Sequence, residues 1–111
     1  MLPIRVAVAT EDGKHVKEGE FNKAKYFAIY DVSGKSPTKV ELRVNTRISS
    51  EDPSSALEIL RDCEVVISKE FSRDVKEAME SMGLIAHETR NTDVVGAIIE
   101  FAEKVARLKE G

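Results

Sequence analysis

Apolar positions recur along this chain in three rhythms, and each rhythm predicts an element. Ile4-Arg5-Val6-Ala7-Val8-Ala9 is nearly continuous and β-branched, the pattern of a strand buried on both faces. Tyr26-Phe27-Ala28-Ile29-Tyr30-Asp31-Val32 is a second strand. Ser33-Gly34-Lys35-Ser36-Pro37 then turns the chain into Thr38-Lys39-Val40-Glu41-Leu42-Arg43-Val44, where polar and apolar residues alternate. The pair reads as a hairpin with one wet face. Beyond Ile48 the spacing becomes helical. Asp52-Pro53 supplies an N-cap and a proline at the first helical position, with Ala56, Leu57 and Leu60 on one face. Glu64-Val65-Val66-Ile67-Ser68 is a buried strand. Ser72 caps a helix carrying Val75, Ala78, Met79 and Met82, and Gly83 stops it. Leu84-Ile85-Ala86-His87 is a short strand. Asn91 or Thr92 then caps a last helix whose stripe is Val95, Ile98, Ile99, Ala102, Val105 and Ala106.

The order β-β-β-α-β-α-β-α predicts one domain over residues 1–111, a mixed sheet with helices packed on it. Helical crossovers make the strands beginning near Ile4, Glu64 and Leu84 parallel. Ligands of open sheets sit at the carboxyl ends of such strands. That edge collects Thr10, Glu11, Asp12, the loop with His15 and Glu20, Ser68-Lys69-Glu70 and His87-Glu88. His15 and His87 are the only imidazoles, and with Glu11, Asp12 or Glu20 they form a candidate His/carboxylate metal site. The alternative is two ordinary polar residues beside loops. Cys63 belongs to the opposite edge, about 17 Å away at 3.3 Å per residue, and reads as a small packed hydrophobe. Lys69, Arg73 and Lys76 crowd one helix start, where an anion would be welcome, but Glu70 and Asp74 cancel much of the field.

Composition narrows the chemistry. Seventeen Lys+Arg against 20 Asp+Glu leave a net charge of −3, with no global attraction for nucleic acid or anionic membrane. A lone Cys closes no internal disulfide and cannot by itself supply a four-ligand cluster site. The opening apolar stretch is too short for a signal segment, and no later run reaches membrane-spanning length, so a soluble, cytoplasmic protein is expected. Neither Arg5-Val6-Ala7-Val8-Ala9 nor Val65-Val66-Ile67 carries an acid for two-metal hydrolysis. No nucleophile–base pair is visible, so no enzyme is expected. Phe101 or Leu108, if exposed, would mark a dimer interface.

Ile4-Arg5-Val6-Ala7-Val8-Ala9-Thr10-Glu11-Asp12-Gly13-Lys14, followed by Phe21-Asn22-Lys23-Ala24 and the Tyr26-Phe27 strand, resembles the dinitrogenase iron–molybdenum cofactor biosynthesis family, the NifX-like domains. Members of that family open with a strand, an acidic turn, a segment like H-F-G-R-A and a Y-F strand. Leu60 to Met79 is likewise similar to the family's G-x-D-V-V-I-A-G-G-x-G-x-x-A stretch. The resemblance spans essentially the whole chain. It implies a ribonuclease-H-like three-layer α/β fold, a five-stranded mixed sheet with helices on both faces. It also implies a role in binding, carrying or inserting an iron–molybdenum or iron–sulfur cofactor. The H-F-G-R-A position reads Glu20-Phe21-Asn22-Lys23-Ala24 here, and Ser68 to Asp74 contains no Gly, which removes the close backbone approach that glycines allow a bulky anion. The expected cofactor-binding residues are Glu11, Asp12, Glu20, Asn22 and Lys69, with His15 and His87 as metal ligands. The expected function is a non-enzymatic cofactor-binding or carrier domain, degenerate in its ligand site. The alternative is a protein-interaction or regulatory module on the same scaffold. Expected partners are a metallocofactor or small anionic ligand, or a protein, with the chain a monomer or homodimer.

Overall fold

A computed structural model describes residues 3–110, and side chains through residue 108. Five strands form one sheet: β1 (Ile4–Thr10), β2 (Tyr26–Ser33), β3 (Ser36–Val44), β4 (Val65–Ser68) and β5 (Ile85–Glu88), in the spatial order β3-β2-β1-β4-β5. β1 pairs antiparallel with β2, and β2 with β3. β4 runs parallel to both β1 and β5, as the crossover argument requires. Helix α1 (Arg73–Met82) follows β4, and α2 (Val94–Glu110) follows β5.

The continuous apolar character of β1 has a direct cause. Ala7 and Ala9 point into one core with Phe27, Ile29, Leu57, Leu60, Val66 and Met79. Val6 and Val8 point into a second core with Ala28, Tyr30, Ile67, Ile98 and Phe101. The sheet is therefore covered by α1 and the 53–60 segment on one face and by α2 on the other. β2 is buried on both faces too, whereas β3 is wet along nearly its whole length. The expected wet face is thus a largely wet strand: α2, the 11–20 loop and the 53–60 segment reach β3 only in part.

Three local expectations are corrected. Pro53–Leu60 is a 3-10 helix, not an α-helix. Asp52 does cap it, accepting from Ser54 N–H and from the Ser54 hydroxyl. Ser54 and Ser55 are weak helix formers, and Leu57 and Leu60, three apart and both buried, stack in one row at three residues per turn. The cap of α2 is Asp93, whose Oδ2 accepts Gly96 N–H at 2.6 Å, because Asn91 spends its side chain on Asp93 N–H. The apolar stripe of α2 is shifted at its start, while Ile98 and Ala102 are buried as expected. Val94, Ala97, Ile98, Phe101 and Ala102 are buried, while Val95 is exposed. Met79 is core as expected, but Met82 is exposed at the helix end. There Gly83 takes φ +76 and donates to Glu80 and Met79 carbonyls, the left-handed stop that the sequence predicts.

Candidate functional site

The carboxyl edge of β1, β4 and β5 is spanned by the 11–20 loop, which is stitched down on both sides. Lys17 N–H donates to Ala9 O beside β1, at 2.9 Å. Toward the β5–α2 turn, Val16 N–H donates to Thr92 O and Val94 N–H to Lys14 O, each at 2.9 Å. Toward the β4–α1 turn, Phe21 N–H donates to Glu70 O at 3.0 Å. Phe21 itself is buried between Phe27 and Phe71, with ring centroids 5.9 and 5.4 Å away. The crevice that an open parallel sheet leaves is here roofed by the chain's own backbone.

Thr10 and Asp12 shape the roof. Thr10 is fully buried; its hydroxyl donates to His15 O and accepts Gly13 N–H at 2.9 Å. Gly13 takes φ +84, a conformation that L side chains rarely adopt. Asp12 Oδ1 accepts Lys14 and His15 N–H, both at 2.8 Å, and Oδ2 lies 2.6 Å from His15 Nδ1. The hydrogen bonds from the His15 ring and from the His15 and Lys14 backbones hold the Asp12 carboxyl well below the usual range. The carboxylate thereby orients the His15 ring, which is 68% exposed.

The other expected site residues have separate duties. Glu11 accepts Lys25 N–H at 2.7 Å. Glu20 is exposed, and its backbone pairs with Glu70. Asn22 is buried, and Asn45 Nδ2 donates to its carbonyl and to that of Ala24, at 3.1 and 2.8 Å. Lys69 is mostly buried; its ammonium donates to Arg90 O at 3.0 Å and lies 3.4 Å from Glu18. His87 lies under α2, only 8% exposed, with Nε2 2.9 Å from Glu100 Oε1 and its ring edge-on to Phe101 at 5.3 Å. Burial pushes the Glu100 carboxyl up, but hydrogen bonds from His87 and Thr89 outweigh it and hold it below its ordinary value.

The structure does not bring the two imidazoles to one centre. Each has its own carboxylate, Asp12 for His15 and Glu100 for His87. Among the described residues, no three His, Cys, Asp or Glu side chains converge in a way that could hold a metal ion. Cys63 is buried just before β4, at the amino edge, and burial pushes its thiol up to about 12. A thiol in that state is a poor ligand. The residues present therefore do not fit a metal cluster bound through several protein ligands. Glu100 and Asn45 are the partners that sequence reasoning missed. Glu100 carried a signal, a carboxylate one residue from the apolar stripe of α2; Asn45, on a turn, carried none.

At the amino edge, a second polar cluster ties β1, β2 and β3 to the segment before β4. Arg5 contacts Asp31 and Asp62 at 2.9 and 3.0 Å, and Arg43 contacts Asp62 and Glu41 at 2.8 and 3.0 Å. Arg43 also donates to Ile59 O at 2.8 Å, closing the end of the 3-10 helix.

The family model described as dinitrogenase iron-molybdenum cofactor matches residues 3–104. The chain belongs to that family. Among solved structures, it is similar to the apo form of the orange protein from Desulfovibrio gigas, with TM-score 0.76 and 17% identity over 90% of this chain and 88% of that one. PH0822 aligns with TM-score 0.73 and 20% identity, over 91% and 92% of the two chains. A candidate dinitrogenase from Methanocaldococcus jannaschii aligns with TM-score 0.71 and 18% identity, over 94% and 92%. These likenesses establish a shared α/β fold. No curated protein matches the sequence. No helix among the described residues is long and apolar enough to cross a membrane.

Proposed function

We propose that this member of the family is a non-enzymatic, cytoplasmic binding domain of the metallocofactor-carrier kind, degenerate in its ligand site. The observation that carries the reading is the Asp12–His15 pair on the roofed carboxyl edge. A carboxylate on one ring nitrogen is the usual support of an imidazole that ligates through the other. His15 is the single imidazole that the described residues present to solvent; His87 is spent inside the α2 core. One imidazole suits a transient contact with an iron–molybdenum or iron–sulfur cofactor, or with another small anionic ligand, and not a permanent cluster site. Glu11, Asp12, Asn22 and Lys69 would act by shaping the loop around that contact. Glu20, exposed where the family motif has His, is the position whose change separates this member from one with a fuller ligand set. The strand order, antiparallel on one half and parallel on the other, supports a ribonuclease-H-like classification.

Anaerobic reconstitution with an iron–sulfur cofactor, read by absorption after desalting, tests the proposal. Wild type is expected to retain a substoichiometric chromophore, His15→Ala to lose it, and Glu20→His to retain more. Loss of all colour from both wild type and Glu20→His overturns the carrier reading. The glycine-free turn from Ser68 to Asp74 favours a second reading, a protein-interaction module without cofactor. It predicts no chromophore in any variant, together with a protein partner whose binding survives His15→Ala.

A further inference from the structure

We propose that two copies of this chain associate through β3, antiparallel and centred on Leu42, so that the two five-stranded sheets run on as one. β3 is an edge strand, and Val40, Leu42 and Val44 on it are 41%, 38% and 58% exposed. These large apolar side chains are only partly covered by this chain, Leu42 lying beside Gly13, and they sit on an outer edge that presents unpaired N–H and C=O groups. The hydrogen bond from Asn45 N–H to Lys25 O sets the backbone phase. Antiparallel pairs alternate, so Arg43, like Asn45, turns its backbone groups toward β2, and Leu42 and Val44 turn theirs outward.

The side chains on β3 select a second copy and its register. Pairing about Leu42 sets Leu42 against Leu42 of the second copy and Val44 against its Val40. On the opposite face Glu41 lies opposite Arg43 of the second copy, and Arg43 opposite its Glu41, so the Glu41–Arg43 pair that each copy already makes is set beside the other's with opposite charges opposed. Centring on Glu41 instead sets Glu41 against Glu41 and Lys39 against Arg43. Centring on Arg43 sets two guanidinium groups together. Centring on Val40 leaves Leu42 against Thr38 and Val44 against Ser36. Only the Leu42 centre joins apolar to apolar and acid to base. Val40 has no partner residue on β2, and this bulge ends the regular ladder, so the pairing covers residues 40–44. A ladder this short buries less than the about 1,600 Å² of a standard stable interface. The dimer therefore forms in a concentration-dependent equilibrium.

Sedimentation velocity of the intact chain over a wide concentration range is the first test. The sedimentation coefficient is expected to rise with concentration in wild type and to stay at the monomer value in Leu42→Lys. A cysteine pair tests the register. Leu42→Cys is expected to form a disulfide-linked dimer in air, since directly opposed residues lie about 5.5 Å apart, within disulfide reach. Val44→Cys is expected not to, because its equivalents lie four residues out of register, about 13 Å apart. The native thiol, Cys63, is buried and gives a quiet background. Circular dichroism verifies that each variant is folded. A concentration-independent monomer in wild type, no covalent dimer from Leu42→Cys, or equal cross-linking by Val44→Cys each overturns the proposal. None of these measurements involves a cofactor, so the outcome is independent of the carrier reading.

Discussion

Asp12 grips His15 twice, through the ring nitrogen Nδ1 at 2.6 Å and through the backbone N–H at 2.8 Å. The carboxylate of a surface loop thereby fixes both the path of the chain and the aim of the imidazole. Because these bonds favour the charged carboxyl, Asp12 is held below its ordinary value, and the sign of the pH effect follows. A depressed native value means that the contribution is present above the ordinary Asp range, about pH 4, and is lost only as the pH falls through the native value. Amide hydrogen exchange at Lys14 and His15 is expected to stay protected through the ordinary carboxylate range and to open below it. Asp12→Ala is expected to open both amides at every pH. Opening at the ordinary Asp range in wild type would contradict the assignment.

Arg43 makes the corresponding grip at the amino edge. Its guanidinium spans Asp62, Glu41 and the Ile59 carbonyl, so Arg43→Met orphans a carbonyl and leaves Asp62 with one guanidinium partner, Arg5. The expected loss is about 2 kcal/mol in urea denaturation, the scale for hydrogen bonds to a charged group. The hydrogen bond from Arg43 also holds the Asp62 carboxyl well below the usual range. The stability that Asp62 contributes is thus retained above the ordinary Asp range and lost in stronger acid. Arg43→Met is expected to flatten that acid limb. An unchanged limb would show that Arg43 is not its source.

Phe21 anchors the far end of the loop roof. It is fully buried against Phe27 and Phe71, so Phe21→Ala is expected to cost about 3–5 kcal/mol by chemical denaturation. Exchange at its own amide, which donates to Glu70 O, is expected to speed up more than exchange in β1. A loss under about 1 kcal/mol would mean that the loop is not tied to the core through this ring.

Ser68 makes the opposite prediction. Its hydroxyl oxygen is buried at the carboxyl end of β4 with no hydrogen-bond partner among the described residues. Removing a buried hydroxyl without orphaning a partner gains stability, so Ser68→Ala is expected to raise the unfolding free energy by about 1 kcal/mol. A decrease of that size would reveal a bond that Ser68 makes in solution.

The sheet was legible because its signals are local. The doubly buried β1, the antiparallel hairpin, the Ser72 cap and the Gly83 stop each rest on residue type and spacing within one turn or strand. The opening strand and Tyr26-Phe27 were enough to point to the family. The errors have local causes as well. Asn91, Thr92 and Asp93 are all competent caps, and only the bond that Asn91 makes to Asp93 N–H chose among them. The buried stripe of α2 keeps Ile98 and Ala102 and differs at its start, where Val94 and Ala97 are buried and Val95 is not.

By itself the sequence determined the five-stranded mixed sheet, its parallel half, the family and the placing of Cys63 away from the carboxyl edge. Periodicity and caps act over a few residues, and crossover handedness leaves few ways to assemble them. Only the tertiary structure decided what the polar residues do. It spent His87 on Glu100 beneath α2, oriented His15 by Asp12 and closed the strand-end crevice with the chain's own loop. It also left the apolar row of β3 partly exposed. These outcomes rest on contacts between distant segments, where the partner of a charge or an apolar face is set by packing and not by spacing.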